Sequence, residues 1–211
     1  MVGGASAIYV DSLAGISDNL PLVLTWLTIA TLLVLFLYTG SVLLPIKAVL
    51  LNLFSLSATL GIMTWVFQEG NGRRLLGDFT VTGTLDTSTV VLVAVVAFGL
   101  SMDYEVFMLS RIKEEHDRGA STEDAVSFGL QRSGRIVTAA ALLIAVVFAT
   151  FITSGVTSIK MLGLATAAAI MLDATVVRGL LVPALMRVAG TWNWWAPRPL
   201  RALHRRFGIA D

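Results

Sequence analysis

Five stretches of this 211-residue chain are apolar over the length that a bilayer demands of a helix. A hydrocarbon core about 30 Å thick takes about 20 such residues. The runs are 20–38, 42–67, a third that starts near residue 87 and continues through FGLSMDYEVFMLS, 136–153 and 159–188. Inside lipid every backbone N–H and C=O must be satisfied within the protein, and helices do this segment by segment. The expected fold is therefore an all-α integral membrane protein, a bundle of five transmembrane helices. With 56% apolar residues against 14% charged, a soluble core is the wrong frame.

The first span reads as beginning at residue 20, with Asp18 or Asn19 as its cap and Pro21 in the first turn, where its missing N–H costs nothing. Residues 1–19 carry no basic n-region and hold Asp11 and Asp18, so they are expected to be an exposed lead-in rather than a signal peptide. Residues 20–188 are expected to form the transmembrane domain and 189–211 a basic, aromatic tail. Lys47, near a span end, should snorkel to the headgroups. The fifth run is long enough to need tilt, or a kink near Pro183.

Positive charge sets the expected orientation. Arg111, Lys113, Arg118, Arg132 and Arg135 lie between spans three and four. Arg187, Arg198, Arg201, Arg205 and Arg206 follow span five, and Lys47 falls on the same side. Only Arg73, Arg74 and Lys160 fall on the other, which puts the N-terminus outside and the C-terminus in the cytoplasm of a plasma-membrane protein. The segment 73–79 is expected on the outer membrane surface. Ser121 with Thr122, Glu123 and Asp124 marks a short surface helix over 122–132. Trp192, Trp194 and Trp195 are expected at the inner interface, ahead of a basic cluster that favours anionic lipid.

Several functions are excluded. A net charge of +1 does not suit a nucleic-acid binder. With no cysteine and only His116 and His204, which read as solvated polar residues, no metal site is expected, and no cofactor.

The informative residues are the charges that span length forces below the headgroups, because an intramembrane carboxylate is costly and normally faces an interior or a wet cavity. A third span ending at Leu100 would be too short, so Asp103 is expected to be buried. Gly99, a turn before it, would let a neighbouring backbone approach, and Tyr104 adds a hydroxyl that can exchange hydrogen bonds with a carboxyl group. Glu105, two residues nearer water, is expected to titrate normally. Asp103 suits either proton transfer or helix packing. In the last span Ala165, Ala169 and Asp173 recur every four residues, so Asp173 lies on a small-residue face. Arg178 is five residues on, about 140° around an α-helix, which makes it a poor intrahelical partner for Asp173. Both are candidates for an intramembrane polar site. Gly134, Thr138, Ala141, Ala145 and Ala149 mark close packing of the fourth span.

The runs FGLSMDYEVFMLSRIKEEHDRG, SGRIVTAAALLIAVVFATF and LDATVVRGLLVPALM closely resemble the C-terminal membrane half of the MMPL transporters, of the RND superfamily. The lead-in resembles the end of an extracytoplasmic porter domain. Members of that family have twelve spans in two pseudo-repeated halves and use the proton gradient to export lipids or other hydrophobic compounds. The resemblance implies that the five spans are the last five of an RND-type transporter, that Asp103 and Tyr104 occupy proton-relay positions, and that Asp173 matches a recurrent residue. It also implies contact with membrane lipids, a lipid or hydrophobic cargo, and a second chain supplying the N-terminal spans and porter domains. The alternative is a non-transporting membrane scaffold or transporter remnant. An intramembrane protease would need Asp103 and Asp173 to converge on one water, and neither sits in a catalytic motif, so no enzyme is expected.

Overall fold

The computed structural model describes residues 5–77, 79, 81 and 83–208; the first four residues of the lead-in and the last three of the tail lie outside the described residues. Among the described residues the fold is 87% helical and has no strand. Helices α1 (Ala5–Thr39), α2 (Leu43–Met63), α4 (Thr87–Asp117) and α5 (Thr122–Thr150) are joined by the short α3 (Arg73–Leu76) and by turns, and α6 (Thr157–Leu172) runs through a π-helical segment, Asp173–Leu181, into α7 (Val182–Ala189). A last helix, α8 (Arg198–Phe207), closes the chain. Five of these units are long and apolar enough to cross a membrane: Pro21–Thr39, Leu43–Gln68, Thr87–Asp117, Thr122–Thr153 and Thr157–Trp194.

Helix α4 packs between α5 and α6, α5 also packs on α6, and α2 bridges α1 to α6. Two glycines set how closely the backbones approach. A Cβ on Gly129 would lie 2.5 Å from Ile112 Cγ1 of α4, and one on Gly163 would lie 2.6 Å from the Phe148 carbonyl of α5. Those contacts fix the α4–α5 and α5–α6 crossings. The buried stripe of α5 is Gly129, Ser133, Val137, Ala141 and Ala145, so of the residues expected to pack this span only the two alanines are buried, and Thr138 is exposed.

Two boundaries differ from the sequence expectation. Pro21 is inside α1, not at its start. Asn19 does not cap forward, since its Nδ2 donates back to the Gly15 carbonyl at 2.7 Å, and Thr25 Oγ1 takes up the Pro21 carbonyl at 2.7 Å. The surface helix expected over 122–132 and the fourth span are one helix, capped by Ser121 Oγ, which accepts from the Asp124 N–H. Nothing at Ser133–Gly134 breaks it, because Ser133 Oγ bonds back to the Gly129 carbonyl four residues earlier and leaves the ladder intact. Ahead of Pro183, where a kink was expected, the fifth span is π-helical over Asp173–Leu181, and the i→i+5 bonding ends where proline can no longer donate.

The basic groups gather at one end of the bundle. Lys47 does not snorkel: its Nζ donates to the Leu185 carbonyl at 2.9 Å and to Asn193 Oδ1 at 2.7 Å. Arg187 pairs with Glu123, and Trp194 Nε1 donates to Thr122 Oγ1 at 3.2 Å, so the loop before α5 and the tail share that end. Lys160 is at the other, donating to the Leu76 carbonyl at 2.7 Å. Trp192 and Trp195 are exposed, whereas Trp194 turns inward and stacks on His116 with ring centroids 4.0 Å apart. The histidines are accordingly half-buried rather than solvated.

Candidate functional site

Two apolar clusters, one around Met108 and Ile112 near the basic end and one around Met63, Phe67 and Met161 at the other, leave a polar layer between them. Asp173 and Arg178 meet there. Both are buried, and Arg178 Nη2 lies 2.5 Å from Asp173 Oδ2. The expectation that residues five apart would diverge fails because this stretch is π-helical, and i→i+5 bonding brings positions 173 and 178 onto one face. Ser101 of α4 ties the pair to the neighbouring helix: its Oγ donates to Asp173 Oδ1 at 2.9 Å, and its carbonyl accepts from Arg178 Nη2 at 2.5 Å. The Tyr104 ring lies under the guanidinium, 5.1 Å from its carbon.

Burial on α4 follows helix phase rather than depth. Glu105 is 3% exposed and within electrostatic range of Arg178 and Asp173. Asp103, two residues and about 200° away, is exposed and has no hydrogen bond or ion pair among the described residues. The expected order of the two acids is therefore reversed. Ser88, Leu92, Val95, Gly99 and Asp103 form a continuous open stripe along α4, and a Cβ added at Gly99 would meet nothing within 4 Å from another element. Asp103 and Asp173 are not brought together: a cavity of about 10 Å³, at the lower limit for one water, adjoins Asp173, Arg178 and Tyr104 but not Asp103.

Asn52 also lines this cavity with its Nδ2 unpartnered, and Nε and Nη1 of Arg178 are likewise buried donors without a partner. Sequence reasoning missed Asn52, Ser101 and Glu105. Their signal was periodicity: Asn52, Ser55 and Thr59 recur at helical spacing in an apolar span, and Ser101 and Glu105 continue the buried stripe of Val93, Ala97, Met108 and Ile112.

Comparison with known proteins agrees with this architecture. A membrane protein of Streptomyces coelicolor is 45% identical over 210 residues, covering 100% of this chain and 30% of that protein. The trehalose monomycolate exporter MmpL3 of Mycobacterium tuberculosis is 44% identical over 211 residues, 100% of this chain and 22% of that protein. The heme uptake protein MmpL11 of the same organism is 42% identical over 197 residues, 93% of this chain and 20% of that protein. The chain thus spans between a fifth and a third of the length of these relatives. The MMPL family profile matches residues 1–208, almost the whole chain and all five spans. This multi-pass membrane protein belongs to the MMPL family.

Proposed function

We propose that the chain is one membrane half of a proton-driven MMPL-type transporter that exports lipids or other hydrophobic compounds. The observation that carries the reading is the open α4 stripe ending in Asp103. A carboxylate on a lipid-exposed helix face is too costly to be left there, so that face supports packing against further spans. In this reading Asp103 takes up and releases protons at the seam between the two halves. Tyr104, next along the helix, connects that seam with the buried Arg178–Asp173 pair behind it. The spans and porter domains that complete the device come from a second polypeptide or from sequence beyond these 211 residues. The basic end of the bundle is cytoplasmic and the start of α1 is extracytoplasmic, as the asymmetry of lysine and arginine favours. The relatives named for their cargo differ in it and in direction, one for export and one for uptake, and the reading accordingly commits to a class of cargo only.

The test is gentle detergent extraction from the native membrane with a tag after residue 211, followed by native mass measurement. The expected result is the chain bound to a polypeptide bearing further spans and porter domains. Recovery alone, or only with copies of itself, would favour a non-transporting scaffold.

A further inference from the structure

Helix α8 distributes its side chains in an unusual way. Arg198, Arg201 and Arg205 recur on one face, while Leu203 and Phe207, both exposed, occupy the opposite one. The arginine face looks inward, toward the ends of α1 and α4, and with Lys113 it lines a cleft of about 610 Å³. That volume lies within the range of small-molecule sites, about 300–1,000 Å³.

The cleft carries uncompensated positive charge. Elsewhere at this end Arg111, Arg118, Arg132 and Arg187 each have a glutamate partner, while Arg135 and Arg206 are exposed without one among the described residues. Arg198, Arg201 and Arg205 have no carboxylate partner among the described residues, and the one acid on the lining, Asp117, is engaged by Lys113 at 2.5 Å. Two ring nitrogens on the same lining are shielded from solvent and unpartnered, His116 Nδ1 and His204 Nε2. Both rings are packed. His116 stacks on Trp194, and His204 meets Phe36 edge-on and lies over Gly40 (φ +70°), where a Cβ would stand 3.0 Å from its Cε1.

We propose that this cleft binds the phosphate-bearing headgroup of an anionic phospholipid in the leaflet at the basic end of the bundle. Three guanidinium groups offer charge-assisted hydrogen bonds to phosphate oxygens. The lipid source follows from what surrounds the charges. The outward face of α8 is apolar at Leu203 and Phe207, and Trp192 and Trp195 are exposed beside it, which sets α8 at headgroup level.

The experiment is native mass spectrometry of the 211-residue chain released from micelles holding equal amounts of phosphatidylglycerol and phosphatidylcholine. The expected result is preferential retention of phosphatidylglycerol, lowered about tenfold or more in an Arg201→Gln/Arg205→Gln double variant. Arg206→Gln removes a charge from α8 outside the lining and should leave retention near wild type. Because these arginines are exposed, far-UV helicity is expected to be unchanged in all variants. Equal retention of the two lipids, or equal losses in the Arg206 and double variants, would overturn the site. In a second arm inorganic phosphate and glycerol 3-phosphate are added; failure to displace the lipid supports the proposal, and ready displacement would assign the cleft to a free anion instead.

Discussion

Replacing Arg178 with methionine is expected to destabilise the bundle by about 3–5 kcal/mol, the usual cost of stranding a buried charge. The same experiment should show Asp173→Asn to be clearly milder. The asymmetry comes from the neighbours. Arg178 faces two buried acids, Asp173 in ion-pair contact and Glu105 across the helix interface, and it also donates to the Ser101 carbonyl. Without it both acids stay in the polar layer with no cation. Without the Asp173 charge, Arg178 still has Glu105 and the Ser101 carbonyl, and the amide introduced by Asp173→Asn keeps an oxygen for Ser101 Oγ. Reversible unfolding of the purified chain in mixed micelles with increasing dodecyl sulfate measures both. Adding Asp173→Asn and Glu105→Gln to Arg178→Met is expected to restore part of the loss. An Asp173→Asn variant as damaged as Arg178→Met would contradict this account of the polar layer.

Asp103→Asn is expected to do the reverse, leaving the fold within about 0.5 kcal/mol of wild type while abolishing proton-driven export by the assembled transporter. The structural half of the prediction follows from exposure, since Asp103 has no partner among the described residues whose loss would be felt. The functional half follows from chemistry, because an amide has nearly the same shape as a carboxyl group but does not take up and release the proton. Tyr104→Phe keeps the ring beneath Arg178 and removes only the hydroxyl, so it too should fold and fail to export. The readout is cargo efflux from proteoliposomes driven by an imposed proton gradient, beside the unfolding midpoint of each variant. Wild-type efflux with either substitution would remove the relay assignment.

The spans were legible because bilayer thickness imposes a length that composition alone reveals, and all five are helices in the structure. Their ends were less so. Pro21 resembles a helix start by local rule, yet α1 continues through it because Asn19 and Thr25 bond backward to helix carbonyls. At the candidate site, depth was a poor guide and phase a good one: Asp103 and Glu105 lie at nearly the same depth, and the 100° step per residue decides which is buried. The Asp173–Arg178 contact was hidden for another reason. Sequence spacing was converted to angle with α-helical geometry, and the π-helical run over Asp173–Leu181 changes that conversion where the pair forms. Position 183 carried the hint, since a proline there withdraws a donor from the α ladder just beyond it.

The central claim is that the Asp103 face of α4 is a seam against protein rather than lipid. Site-specific photo-crosslinking in native membranes tests it directly, with a diazirine side chain at Val95, on the Asp103 stripe, or at Val146, exposed on α5. The account predicts a polypeptide adduct from position 95 and lipid adducts from position 146. Lipid adducts alone from both positions would show that α4 faces the bilayer, and would contradict it.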